Sequence, residues 1–281
     1  MITLASDFGS PYPAAMKGVI LQGTDARLVD VAHDFPRQDV RAAAFWCRET
    51  LAYFPPAVHL VVVDPGVGTD RDALVVRAGR HALVGPDNGV LLPAARRIAA
   101  AEGAEGESGE AVENTSETGA EIECFAYEYA DPASSTFHGR DVFAPAAAAV
   151  HEAGVDAVET VESLSPVESF LAEATPETIV DCQFPDADVS GDGARGEVLA
   201  VDDFGNAITN VPGSFLDDRS GETVRVNGTA ATVATAFAAV PTGSRLVTVG
   251  SHGYVECDVN QGRGDEAFDL AAGDSVRIDT E

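Results

Sequence analysis

VHLVVVDPGVGTDR, residues 58–71, decides how the chain is read. Val58–Val63 is a short, mostly apolar and β-branched run of the kind that forms a buried strand. It ends at Asp64, and Pro65 follows. A residue before proline is pushed out of the helical region, so Asp64 is expected to be extended at the strand's carboxyl end. Gly66 and Gly68 permit close backbone approach or positive φ, and Arg71 closes the segment. In open α/β sheets ligands bind at that edge. The plainer reading is a turn in which Asp64 and Arg71 form a surface ion pair.

Working outward, strand and helix patterns alternate. Ile2–Ala5, Leu28–Val31 and Val58–Val63 read as strands, and Ala73–Ala78 with His81–Val84 as a hairpin around Gly79-Arg80. Pro13–Leu21, Pro36–Phe54, Asn88–Ala101 and Asp141–His151 read as helices. In the second of these, Val40, Ala43, Ala44, Cys47, Leu51 and Phe54 recur at helical spacing. Such alternation predicts a Rossmann-like α/β domain with a mostly parallel sheet, over residues 1–165. Glu102–Glu123 holds eight glutamates and no basic residue, and is expected to be a solvated insertion (102–123). Past Pro166 and Pro176 come short alternating runs: Gly196–Val201, Thr223–Val226, Ala230–Ala234, Arg245–Val249, Tyr254–Val259 and Ser275–Ile278. They predict a smaller all-β domain over 176–281, a barrel or a sandwich, with the boundary near Ser165–Pro176.

The 281 residues carry a net charge of −29, from 46 acidic and 17 basic side chains, with 45% hydrophobic residues to build cores. Lys17 is the sole lysine. This composition resembles proteins of salt-loving archaea, whose surface carboxylates hold water and cations where charge is screened within about 3 Å at molar salt. It excludes a nucleic-acid partner unless a basic groove exists, and no basic cluster is present. Cys47, Cys124, Cys182 and Cys257 are scattered without a CxxC pair, so four buried thiols in a reducing cytoplasm are expected. The segment MITLASDFGS lacks signal-peptide character, and no stretch of about 18 apolar residues implies a membrane span.

Polar clusters stand at the ends of predicted elements: Ser6-Asp7-Phe8-Gly9, Asp64–Arg71, Pro86-Asp87-Asn88-Gly89, Thr136-Phe137-His138-Gly139-Arg140-Asp141, Asp202-Asp203-Phe204-Gly205-Asn206 and Ser251-His252-Gly253-Tyr254. Each has a structural reading. Asp87-Asn88-Gly89 can be a capped turn, and Asp141 a helix N-cap beside an exposed His138. Taken together and in this order, DPGVGTDR, PDNG, TFHGRD, DDFGNAITN and SHGYVE…NQG resemble the S-adenosyl-L-methionine (SAM) hydroxide adenosyltransferases, or SAM hydrolases, relatives of the SAM-dependent fluorinase and chlorinase. The resemblance spans Ser6 to about Gly262, apart from the glutamate-rich insertion.

The resemblance implies hydrolysis of SAM to adenosine and L-methionine, with an Asp–Arg–His triad at Asp64, Arg71 and His138. It implies that Asp7 holds the ribose diol, Asp202 the methionine ammonium, Asn206 the adenine edge and Ser251 the methionine end. Phe204 and Tyr254 would pack against adenosine, or else serve as core aromatics. It implies no cofactor and no metal, SAM being the substrate, and a homotrimer whose sites lie between subunits. Side-chain chemistry agrees: a carboxylate accepts two hydroxyl bonds, and an amide can pair with adenine. The alternatives are a halide adenosyltransferase, a non-enzymatic SAM or adenosine sensor, and a metal-dependent hydrolase built on Asp64, His138 and Asp141.

Overall fold

A computed structural model describes residues 1–106, 120–130, 132–167, 179–190 and 193–280. It contains two compact units, Met1–Cys182 and Gln183–Glu281. The division falls later than the Ser165–Pro176 segment. Residues 179–182 stay with the first unit because Asp181 forms a bridge with Gly89 and a two-pronged ion pair with Arg96, while the Val180 N–H donates to Asp87.

The first unit is built on β1 (Ile2–Ser6), β2 (Leu28–Ala32), β3 (Val58–Val62), β4 (Ala73–Ala78), β5 (His81–Pro86), β6 (Ile122–Tyr127) and β7 (Leu164–Pro166), in the spatial order β2-β1-β3-β5-β4-β6-β7. The block β2-β1-β3-β5 is parallel, and β4, β6 and β7 extend it by antiparallel pairing. Helices α1 (Tyr12–Gly23), α2 (Val40–Thr50), α3 (Leu92–Gly106) and α4 (Ala144–Ala153) cover it, α1 packing on α4 and α2 on α3. Val58, Leu60 and Val62 join Met16, Ile20 and Ala147 in one core, so alternation turns His59 and Val61 to the other face. Both faces of β3 are covered, which is why its sequence does not alternate with exposed polar positions; its one polar residue, His59, is itself buried.

Two expectations shift at their edges. The helix of Pro36–Phe54 begins only at Val40, where the Asp39 side chain accepts the Ala42 N–H, and ends in a 3₁₀ turn at Leu51–Tyr53. The expected insertion 102–123 is shorter at both ends. Its first residues finish α3, where Glu102 pairs with Arg80, and Ile122 and Glu123 open β6. Residues 107–119 lie outside the described residues. The acidic start of β6 merges with that segment, so its sequence carries no strand signal of its own.

The second unit contains β8 (Asp188–Ser190), β9 (Gly193–Val201), β10 (Ala207–Pro212), β11 (Thr223–Val226), β12 (Thr229–Val233), β13 (Arg245–Val249), β14 (Tyr254–Val259) and β15 (Ser275–Thr280). The order β10-β14-β13-β12-β11-β15-β9 closes on itself through β9–β10, and β8 flanks β9. The domain is therefore a seven-stranded barrel rather than a sandwich. Its interior holds Val198, Val211, Val224, Val247, Val255 and Ile278. The closing strand β10 carries Thr209, Asn210 and Pro212, which mask its strand pattern in the sequence. In place, the Thr209 hydroxyl donates to Val255 O, and Asn210 donates to Pro185 O while accepting the Glu197 N–H.

Candidate active site

The chain leaves β1 for β2 on one side and returns to β3 on the other, so β1 and β3 flank a topological switch point. Ligands of doubly wound sheets bind at the carboxyl ends of such strands. Asp7 and Asp64 stand just past those ends, Ser6 and Val62 being in register.

The Asp64 side chain is 6% exposed. Its Oδ1 accepts the Gly66 N–H at 3.1 Å and Arg71 Nη1 at 2.7 Å. No described residue donates to Oδ2. Burial pushes the Asp64 carboxyl above its usual range, against the opposing pull of Arg71, the Gly66 N–H and His138; the Asp7 charge adds to the rise. The surface ion-pair reading is thus replaced by a buried carboxylate with a half-buried arginine. The glycines of this loop have internal work. A Cβ at Gly66 would overlap the Arg71 guanidinium, which lies against that backbone. Gly68 has φ +81°, and a Cβ there would come within 2.6 Å of Ser135 O.

His138 is buried, 7% exposed, which overturns the exposed reading. It caps a π-helical turn at Gly139–Phe143 that runs into α4, a local widening often found at functional sites. Its ring meets Tyr129 edge-on at 6.1 Å. Gly139 allows the turn to sit on Phe8 and Met16. Asp141 does not cap the helix with its side chain; both of its oxygens bind Arg140, at 2.6 and 2.7 Å. Phe8, Tyr12 and Phe137 form an aromatic trio next to His138, Phe137 meeting the other two edge-on, with centroids 5.3–6.2 Å apart. Asp7 accepts the Gln38 N–H at 2.7 Å. An open groove of about 470 Å³ beside it is lined by Gly9, Pro11, Ala14, Lys17 and His33, among others.

In the barrel unit, Asp202 and Asn206 form one turn. Asp202 Oδ1 accepts the Phe204 and Asn206 N–H groups, and Oδ2 accepts Asn206 Nδ2 at 3.0 Å. Phe204 is 79% exposed, which removes its core reading. Ser251 is exposed in the turn between β13 and β14, and Tyr254 is half-buried at the start of β14. Cys47, Cys124 and Cys257 are buried free thiols, whereas Cys182 is only partly buried. Among the described residues, no group of three His, Cys, Asp or Glu side chains converges as a metal site, and no helix is long and apolar enough to cross a membrane.

Residues 2–161 match the model of the SAM hydroxide adenosyltransferase N-terminal domain, and residues 196–277 that of its C-terminal domain. The chain belongs to the SAM hydroxide adenosyltransferase family. Among its relatives are the (R)-S-adenosyl-L-methionine hydrolases of Salinispora arenicola, 37% identical over 99% of this chain and 97% of that one, and of Thermus thermophilus, 37% identical over 97% of each. The fold matches the crystal structure of an uncharacterized conserved protein from Thermotoga maritima, with TM-score 0.75 and 32% identity over 99% of both chains. The crystal structure of a conserved hypothetical protein from Thermus thermophilus matches with TM-score 0.68 and 35% identity, over 99% of this chain and 98% of that one.

Within this SAM hydroxide adenosyltransferase chain, several supporting residues escaped sequence reasoning. Asn88 Nδ2 donates to Val63 O at 2.8 Å and its Oδ1 accepts the Val90 N–H, tying the PDNG loop to the residue before Asp64. On β14, Glu256 and Asp258 alternate with barrel-core residues and so point outward, yet they are 8% and 0% exposed. Burial, with the Asp202 charge, pushes Glu256 up to about 7. Burial, with Glu256 and Asp202, pushes Asp258 up to about 8. Among the described residues, neither Asp258 oxygen has a hydrogen-bond partner. Alternation marks such acids as solvent-facing; no local signal reveals that the outer face is covered.

Proposed function

We propose that the chain hydrolyses (R)-S-adenosyl-L-methionine to adenosine and L-methionine. The reading is supported by a buried Asp64 carboxylate held by Arg71 past the end of β3, with His138 near enough for its charge to act on that carboxylate, in a family whose relatives bear that hydrolase name. The water oxygen attacks the ribose 5′-carbon as the C5′–S bond breaks. The sulfur keeps the bonding pair, so methionine leaves as a neutral thioether and needs no acid. Alignment of water and substrate supplies roughly 7–11 kcal/mol of such a barrier. Arg71 and the Gly66 N–H both address Asp64 Oδ1, which leaves Oδ2 to orient the water. Burial makes that carboxylate a better proton acceptor than an exposed one. His138 shares the proton, and Arg71 favours hydroxide character in the water.

Asp7 takes the ribose diol. Asp202, Asn206, Ser251, Phe204 and Tyr254 take the methionine and adenine ends, on the support of their motif positions. No cofactor or metal enters the reaction. The reading extends to a homotrimer, supported by the family resemblance; to the cytoplasm, supported by four unpaired cysteines; and to a saline medium, supported by the −29 charge.

Purified protein is incubated with each SAM epimer in ¹⁸O-water, at low and molar salt, with and without chelator and chloride. Adenosine carrying one ¹⁸O at the 5′-position, formed equally in chelator, is the expected product. No adenosine at either salt level refutes the hydrolase reading, and a 5′-chloro nucleoside replaces it with halide transfer. Asp64→Asn and His138→Ala should each slow turnover by about 10²–10⁴. Light-scattering mass tests the trimer.

A further inference from the structure

The loop Ser6-Asp7-Phe8-Gly9 is gripped on both sides of Asp7 by one neighbouring segment. The buried Ser6 hydroxyl is hydrogen-bonded to His33 Nδ1 at 2.8 Å. The Gly9 N–H donates to the His33 carbonyl at 2.7 Å. Asp7 itself accepts the N–H of Gln38, a residue held at φ +61° in the same segment between β2 and α2. Behind His33, Nε2 meets Asp30 Oδ1 at 2.9 Å, and Lys17 on α1 donates to Asp30 Oδ2 at 2.6 Å.

This chain depends on an irregularity. The β1–β2 register runs Leu4 with Asp30 but Ala5 with Ala32, so β2 carries one extra residue. In an unbroken strand, positions three apart face opposite ways; the bulge changes that parity and brings Asp30 and His33 together. Lys17, the sole lysine of an acidic chain, anchors the outer end.

We propose that Lys17, Asp30 and His33 form a positioning chain that fixes Asp7 for the ribose diol, so that His33 sets nucleoside affinity through Asp7 without touching the substrate. The inference rests on the assignment of Asp7 to the ribose. With Nε2–H donated to Asp30, Nδ1 accepts the Ser6 hydroxyl proton. That locks the last residue of β1, while the His33 carbonyl locks Gly9. Asp7 is then presented in one rotamer instead of sampling several, and binding loses less conformational entropy.

The test is a calorimetric comparison of adenosine and 2′,3′-dideoxyadenosine binding to the full chain, for wild type, His33→Ala, His33→Asn, Asp7→Ala and Asp7→Ala/His33→Ala. Asp7→Ala should weaken adenosine by about 10- to 100-fold, the scale of hydrogen bonds to a charged group. His33→Ala should weaken adenosine by about 5- to 10-fold and the dideoxy compound by less than about twofold. His33→Asn, whose amide can reproduce the Nδ1 contact, should recover most of the loss, and it serves if the alanine variant does not fold. In the Asp7→Ala background, His33→Ala should add nothing. Equal weakening of both nucleosides, or additive losses in the double variant, overturns the chain as a positioning device. Unchanged adenosine affinity in Asp7→Ala overturns the ribose assignment and the proposal with it. Since the readout is binding, the outcome is separate from whether wild type turns SAM over.

Discussion

Replacing Asp258 by asparagine should stabilise the protein in mild alkali and leave it unimproved in mild acid. Asp258 is fully buried, neither oxygen has a hydrogen-bond partner among the described residues, and the charges of Glu256 and Asp202 act on it. Its carboxyl titrates at about 8 in the fold, against 3.8 when free. The folded state therefore keeps a proton that the unfolded state releases between those values. The stability this group contributes is fully present below about pH 4 and is lost as pH rises to about 8. At about 1.4 kcal/mol per unit, the loss approaches ~6 kcal/mol, an upper figure because Glu256, at about 7, shares part of it. Asparagine has no charge to desolvate, but it buries two amide donors at a cost of about 1–3 kcal/mol. The net expectation is a gain of roughly 2–4 kcal/mol at about pH 8.5, and none or a small loss at about pH 5. Chemical unfolding followed by circular dichroism at fixed salt measures both. Parallel pH–stability curves for the two proteins would refute the buried-acid reasoning.

Gly66→Ala should collapse turnover by about 10²-fold while the protein stays folded, because its Cβ displaces the Arg71 guanidinium from Asp64; Gly18→Ala, in open space on α1, should keep full activity and gain about 0.5–1 kcal/mol. Removing the guanidinium with Arg71→Gln takes away the strongest force opposing the raised Asp64 carboxyl, so the acid limb of the pH–rate profile should move to higher pH as well as drop; a limb that stays put would separate Arg71 from Asp64. His59 is buried between Thr3 and His81, and burial with the His81 charge lowers it from 6.5 to about 3. Its neutral form contributes stability above pH 6.5 that is lost as pH falls toward 3, by up to ~5 kcal/mol, so His59→Gln should flatten the wild-type acid transition in pH-dependent melting.

The sequence by itself determined the kind of each large element and the order of the candidate site. The run Val58–Val63, apolar but for the buried His59, shows no alternation because both faces of β3 are covered, and that pattern is local. Asp64 follows from the strand's end, and its proline fixes it there. The barrel strands were legible wherever apolar residues alternate, as in Val224–Val226 and Val276–Ile278. Other features depend on contacts between residues far apart in the chain. Closure of β9 on β10 uses a strand rich in polar residues, whose hydrogen-bond partners come from β14 and β9. The bulge in β2 that joins Asp30 to His33 shows only in its register with β1. Gly66 and Gly68 promised close approach of a ligand; the tertiary structure gives that space to Arg71 and Ser135. Burial decided the rest. It turns an Asp64–Arg71 pair that could have lain on the surface into a desolvated carboxylate, and it makes buried acids of Glu256 and Asp258, which alternation assigns to solvent. Periodicity records which face a side chain takes, while the dielectric it meets there depends on what the rest of the chain lays over that face.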